Sequence, residues 1–532
     1  MADLGTQNES LALYRYLCQH IVGTEEYVKT IRMMITVRDN FANTEDFKTI
    51  TSGSFGEGLH MRGSDLDVMI VCSFCEIPQD TNFLFKSDNI YFAMETDDIQ
   101  PGFTQLRLLY SYDGYMYKLC EKRGQDFYIS STVFKQQVVT NKFPIVHGPC
   151  VSDKKGRFDF ALCCHTKLWI KPAMQWITRS NNGWPATNVK QSIVKHGIIC
   201  VPIGLQGSTN NDLAWRLSFS VGEKFLTYTF THTQLLCYAL MKIIFKDLLE
   251  SDLDCHGLLC SYFMKTIVFW ISEEISPSVW RPDNLISCFM RCFRRLIYCV
   301  QNSICPHYFI PENNLFENKI KGHAKEILLN KLNILNSYDW QCILFSHQFS
   351  KYNELLFRSL KEPNYGRVDG IQKLLFTIIN VSDCKYSKFT LEQGIRIAFS
   401  FENFKIKQFH LYYISKMCSV IAQSFTIKNI SSNKSTYKQH NLCIRSLLLN
   451  LHHDAVSGWL LLASFFYKTR QYNLSIYIIQ YILSKCTLEK MHPLMNLSYM
   501  HHELLDEVVR KKIKISDSDV LTVFEKRRSW LD

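Results

Sequence analysis

Residues 52–71 read SGSFGEGLHMRGSDLDVMIV, a glycine-rich segment that leads into two aspartates, Asp65 and Asp67, and then into Val-Met-Ile-Val. Lys48–Ser52 reads as a strand ending at Gly53-Ser54, Phe55–Leu59 as the start of a short helix, and Ser64–Cys72 as a second strand. Residues i and i+2 of a strand project from one face, so Asp65 and Asp67 point together while Leu66 and Val68 face a core. Two carboxylates side by side repel unless a cation sits between them. Such a pair is a hard-oxygen site suited to Mg²⁺ or Mn²⁺, ions that also bind phosphate oxygens. The Gly53-Ser54 turn offers backbone N–H groups and a hydroxyl to the same phosphates. No Gly-Lys-Ser/Thr follows the glycines, which excludes a P-loop.

A divalent pair held by three carboxylates can activate an attacking hydroxyl and stabilise a leaving pyrophosphate. The third carboxylate must come from a neighbouring strand. Asp159, in the alternating run RFDFAL at 157–162, is the best candidate. The bland alternative is that paired aspartates beside glycines are turn residues only.

Around this stretch, residues 9–42 carry a helical pattern, and short β-rich runs continue to about 165, including Gln105–Tyr112 and Phe127–Ile129. From about 165 to 330 the chain reads as mostly helical, with apolar-periodic segments at 223–249, 257–274 and 283–300. A last helical block follows residue 340, interrupted by the polar stretch Lys428–Asn441, which reads as a linker or exposed loop. Trp459, Leu462, Ala463 and Phe466 resemble the first helix of a tetratricopeptide repeat, with Ser475 and Ile479 where the second helix wants a small and a large residue. An ordinary helical hairpin explains them equally well.

With 532 residues, 47% hydrophobic and 20% charged, the chain is expected to fold into several domains and to be globular. A net charge of +11 is a mild excess that permits an anionic partner without demanding one. The start of the sequence has no basic segment followed by an apolar run, so no signal peptide is expected, and its twenty cysteines are expected to be reduced thiols. Cys72 and Cys75 form a lone CxxC, read as a strand end rather than a zinc site. The most apolar run, near 233–249, contains Lys242 and Lys246, so no membrane span is expected and the chain reads as cytoplasmic.

The series GSFGEGL, GSDLDVM, RFDFAL, WRLSFS (215–220), CSYFMKT (260–266) and YFIPENNLF (308–316) resembles cyclic GMP–AMP synthase and its male-abnormal relatives, and most closely the cyclic GMP–AMP synthase-like receptors. The likeness covers roughly residues 10–330, in order. It implies an α/β (α+β) two-lobed nucleotidyltransferase fold with a mixed β-sheet in 1–165, a helical second lobe in 166–330 completing the cleft, and an added all-α region at 340–532. It implies a cyclic dinucleotide product made from ATP and GTP, with double-stranded nucleic acid as activator. Carried over, Gly53 and Ser54 hold the triphosphate, and Asp65, Asp67 and Asp159 are the metal ligands for two Mg²⁺ or Mn²⁺ ions. Arg216, Ser218 and Glu223 line the base side of the cleft, and Lys242, Ser261 and Tyr262 contact donor phosphates and stack a base. Without the resemblance, Trp215, Phe219 and Tyr262 read as core, whereas Arg216 inside so aromatic a segment wants an anion or a carboxylate.

The family's His-Cys-Cys-Cys zinc insertion is missing after WRLSFS, so structural zinc is not expected, and RNA is preferred over DNA as the activator. Lys29, Arg32, Arg38, Lys167, Lys171, Arg179, Lys190 and Lys195 are the candidate duplex contacts, with a solvated helix face as the competing explanation of each. The C-terminal helices suggest a module for partner binding or self-association. The rival reading is a catalytically inactive family member acting as a scaffold, and a third is a linear polymerase.

Overall fold

A computed structural model of the chain describes residues 4–61, 64–78, 86–96, 99–203, 211–317, 319–352, 404–424, 433–452 and 457–485. The chain divides into two compact units, 1–377 and 378–532.

The first unit opens with helix α1 (Leu4–Tyr16), a wider turn at Leu17–Ile21, and α2 (Glu25–Ala42). The helical pattern across 9–42 is therefore broken. Gly23 lies at φ +105°, and the Thr24 hydroxyl accepts from the Tyr27 N–H at 3.2 Å to start α2. Next come β1 (Phe47–Thr51), the single helical turn α3 (Gly53–Gly56) and β2 (Leu66–Ile77).

The strands β3 (Ile90–Glu95), β4 (Phe103–Tyr110), β5 (Cys120–Arg123), β6 (Asp126–Ile129), β7 (Ile145–His147), β8 (Cys150–Ser152) and β9 (Phe158–Thr166) follow, with the short helix α4 (Ser131–Gln136) after β6. Beyond β9 come α5 (Met174–Thr178), α6 (Thr187–His196), β10 (Ile198–Val201) and β11 (Ala214–Ser218). These strands form one mixed sheet in the order β1-β2-β3-β4-β11-β10-β9-β8-β7, and β2 also pairs with β9. The path from β2 through β4, β11 and β10 thus returns to β2. Only β2–β3 and β2–β9 run parallel among the described pairs. β2 therefore has neighbours on both sides, as its nearly unbroken apolar run requires.

The stretch after residue 165 is less purely helical than its sequence suggests, because β10 and β11 join the sheet. All four residues of β10 are buried, and a run that short and apolar has no period to separate strand from helix. WRLSFS likewise begins as a strand. In β11, Trp215 is fully buried with its indole N–H donating to the Ile129 carbonyl at 3.1 Å, while Arg216 is exposed.

Helices α7 (Ser220–Tyr228), α8 (His232–Ile243), α9 (Ser261–Glu274), α10 (Leu285–Asn302) and α11 (Gly322–Ser337) complete the unit. The apolar segment 223–249 is two helices, because Thr231 and Gln234 form a reciprocal capping box that starts α8 anew. Trp176, Trp215, Phe219, Tyr308 and Phe309 anchor one continuous core between helices and sheet. Cys72 and Cys75 are buried in β2 as free thiols, with the free thiol of Cys164 beside Cys75. No described helix is long and apolar enough to cross a membrane.

The second unit contains α12 (Phe404–Ser424), α13 (Asn433–Leu449), α14 (Ser457–Lys468) and α15 (Tyr472–Lys485). The polar stretch read as a linker is helical from Asn433 onward. Its Lys428–Ser432 part lies outside the described residues. α14 and α15 pack as a hairpin, with the buried Ser475 hydroxyl donating to the Ala463 carbonyl at 2.9 Å and Ile479 exposed.

Candidate active site

The parallel pairing of β2 with β9 sets Asp67 directly opposite Asp159, with Leu66 opposite Phe158 and Val68 opposite Phe160. Asp65 stands just before β2. Carboxylate oxygens of Asp65, Asp67 and Asp159 all lie within 4.8 Å of one another. Among the described residues, no other group of three acidic, histidine or cysteine side chains converges in this way. The flanking Leu66 and Val68 are buried, which holds the aspartates on the opposite face.

Each carboxylate has a distinct setting. Asp159 Oδ1 accepts the hydroxyl of Ser152 on β8 at 2.5 Å, which orients that side chain. Asp67 is pushed up to about 7, chiefly by burial and then by the charges of Asp65 and Asp159. Three acids at this spacing offer only oxygen donors, and among the described residues nothing cationic is bonded to them, the donor set that a hard divalent ion takes.

The glycine turn packs against this cluster. Ser52 N–H donates to the Asp67 carbonyl at 2.9 Å, and Gly53 takes φ +62°. A Cβ at Gly53 would collide with the Asp67 carboxylate, so glycine is needed here for space as well as for conformation. Beyond the turn, the N–H of Leu59 donates to the Ser54 carbonyl at 2.8 Å, and Ser54 is buried.

Cys150 on β8 feels Asp67, Asp159, Arg216 and Asp65, so Arg216 shares its surroundings with the triad; burial pushes this thiol up to about 12. Ser218 is half-buried, and its hydroxyl accepts the Ser220 N–H at 3.4 Å. Lys242 on α8 is buried and pushed down to about 8 by burial and Lys246, against the pull of Glu57 and Asp65. Ser261 and Tyr262 begin α9, and the Tyr262 hydroxyl lies 2.8 Å from His307 Nε2. Glu223 is buried, and its Oε2 lies 3.0 Å from the ammonium of Lys265, which is buried too.

Three residues of this site carried no signal in a reading of spacing alone: Glu57, Lys265 and His307. Each sits inside a segment of the resemblance or beside one, yet its partner lies far along the chain.

The basic candidates divide sharply. Arg38 is 1% exposed, paired with Asp39 at 2.6 Å and bonded to the Thr51 hydroxyl. Arg32 donates to the carbonyls of Glu57 and Thr227 and lies over the Tyr228 ring. Arg179 grips Glu273 through Nε and Nη2 and stacks 4.2 Å from the Trp270 centroid. Lys190 donates to the carbonyls of Trp176, Ile177 and Arg179. These four are bonded to other parts of the fold; Arg38 and Lys190 are buried, and Arg32 and Arg179 are half-buried. Lys29, Lys167, Lys171 and Lys195 are at the surface.

Residues 234–354, which span α8 to α11, match the sequence profile described as the Mab-21 protein HhH/H2TH-like domain. This part of the chain belongs to the Mab-21 family. The chain is also similar, at 30% identity over 165 residues, to cyclic GMP-AMP synthase of Mus musculus. The similar region is 28% of this chain and 32% of the mouse protein, so the likeness spans about a third of that relative and is distant. The Mab-21 match contains Lys242, Ser261, Tyr262, Lys265 and His307, the helical side of the site just described.

Proposed function

We propose that the protein is a metal-dependent nucleotidyltransferase with a two-lobed fold, the β-rich part of 1–165 facing the helices of 166–330 across the active-site cleft. The observation that carries this reading is the meeting of Asp65, Asp67 and Asp159 within 4.8 Å, beside a glycine turn that admits no side chain. Divalent ions held there would activate a sugar hydroxyl and stabilise a departing pyrophosphate. The chain's own residues do the rest. The Gly53-Ser54 turn receives a triphosphate, Lys242 supplies a cation beside Asp65, and Arg216 with Tyr262 lines the base side. By the relationship to cyclic GMP-AMP synthase, the product is a cyclic dinucleotide made from ATP and GTP in the cytoplasm. Double-stranded RNA on the surface lysines is the activator, and the second unit serves for partner binding or self-association.

The test is incubation of the full chain with labelled ATP and GTP, Mg²⁺ or Mn²⁺, and duplex RNA or DNA, followed by mass spectrometry. A cyclic product that disappears in Asp65→Asn and Asp67→Asn supports the reading. Linear products would make it a polymerase. A folded chain that makes no product with any duplex would make it a scaffold.

A further inference from the structure

A chain of buried charge ties the glycine turn to the helices. Lys265 on α9 places its ammonium 2.7 Å from Glu57 Oε1 and 3.0 Å from Glu223 Oε2 on α7. Glu57 is the residue that ends the α3 turn, and its N–H donates to the Gly53 carbonyl at 3.2 Å. The three residues are 2%, 5% and 8% exposed for Glu57, Glu223 and Lys265. Two carboxylates thus share one ammonium in the interior, and among the described residues Glu57 Oε2 has no hydrogen-bond partner. Apolar residues of similar volume would serve stability as well or better, so such a cluster is poorly explained as a packing device.

Its placement is more telling. The main chain of the same turn is held from two other helices: Arg32 of α2 donates to the Glu57 carbonyl at 2.8 Å, and the Tyr228 hydroxyl of α7 donates to the Gly56 carbonyl at 3.0 Å. Only the Lys265 contact is made through the Glu57 side chain, and α9 also carries Tyr262 at the site. The Tyr262 hydroxyl bonds to both Glu223 and His307.

We propose that Lys265, through Glu57, is a positioning residue: it clamps the Gly53–Gly56 turn against Asp67 and so sets the turn for a triphosphate. The proposal deepens the nucleotidyltransferase reading and rests on it for the identity of the ligand. The clamp itself is a property of the fold that can be measured without activity.

Glu57→Met removes the clamp and leaves the Lys265–Glu223 pair neutral and intact. Hydrogen exchange on the full chain is expected to quicken at the Gly56 and Leu59 amides by about tenfold to a hundredfold, the range of a charged hydrogen bond. Global melting should stay near that of the wild type. The KM for ATP should rise by a similar factor with a smaller change in kcat, and Glu57→Gln, whose amide oxygen still accepts from Lys265, should recover most of the loss. Unchanged exchange at both amides in folded Glu57→Met overturns the clamp. If that variant does not fold, the uncharged triple variant Glu57→Met, Lys265→Met, Glu223→Gln carries the same exchange test. A wild-type chain that transfers no nucleotide counts against the reading of function, and the exchange result still decides the clamp.

Discussion

Asp67 and Asp159 are register partners across two parallel strands, ninety-two positions apart in sequence and opposite each other in β2 and β9. Parallel pairing carries their side chains to one face, and Asp65 joins them from the residue before β2. The repulsion posed by the two aspartates of the opening stretch is therefore sharpened by a third.

That crowding has a signature in pH. The folded chain holds the Asp67 proton to about 7, whereas the unfolded chain releases it near 3.8. The folded state binds the extra proton between those values, so the Asp67 contribution to stability is lost as pH rises from about 4 to about 7 and changes little above that. Asp67→Asn removes the titration. Urea unfolding at pH 4.5, 6 and 7.5 should show the variant gaining on the wild type, by a total on the order of 4 kcal/mol. Mg²⁺ or Mn²⁺ should narrow the gap at the upper end. Parallel pH curves for the two proteins would refute the cause assigned to the shift.

Gly53→Ala should be costly out of proportion to one methyl group. The added Cβ meets the Asp67 carboxylate at a positive φ, so the turn must move or the aspartate must rotate. A loss of about 1–3 kcal/mol of stability is expected, with Mn²⁺ binding weakened in the same variant. Gly124, which also has positive φ but open space around it, is the control: alanine there should leave Mn²⁺ binding unchanged.

Ser152→Ala deletes the hydroxyl that orients Asp159. Outer-shell partners of this kind change metal affinity by roughly ten- to a hundredfold. Mn²⁺ titration should show a loss in that range, while thermal melting shifts by only the value of one hydrogen bond, about 1 kcal/mol. Equal Mn²⁺ affinity in the two proteins would mean that Asp159 needs no support.

The internal arginines and the surface lysines should part company in experiment. Arg38→Met removes the close cation from buried Asp39, which keeps the Thr51 N–H and hydroxyl and Lys224 at 3.7 Å, and should destabilise the chain by about 3 kcal/mol. Lys167→Glu, Lys171→Glu and Lys195→Glu should leave melting unchanged. Each should lower the slope of log affinity against log salt for duplex RNA by about one. A duplex that binds all three variants with the wild-type slope would remove this face from the proposal.

In the second unit, Ser475 lets α15 approach α14 closely enough to bond the Ala463 carbonyl. Ser475→Leu should force the hairpin apart at a cost of about 1–3 kcal/mol, seen as loss of helical circular dichroism at lower temperature.

Much of the site was legible because its chemistry is local. Asp65 and Asp67 are separated by one residue, the glycines precede them, and a strand repeat of two places both carboxylates together. Asp159 was legible only as a candidate, since alternation in RFDFAL shows which side chains share a face but not which strand lies alongside. The strands β10 and β11 were read within a helical region because IICV has no period and WRLSFS is short. The bonds of the basic candidates are illegible for a related reason: Arg32, Arg38, Arg179 and Lys190 have the composition of a nucleic-acid face, and the groups they bond to lie in other elements.

The sequence by itself determined the donor types, the glycine turn and the family resemblance, because each rests on short motifs whose residues lie within a few positions of one another. The tertiary structure alone decided that Asp159 completes the cluster, that Lys265 sits between Glu57 and Glu223, and that four candidate cations are bonded within the fold. Those are pairings across long separations, and pairing is set by strand register and helix packing, which no local spacing encodes.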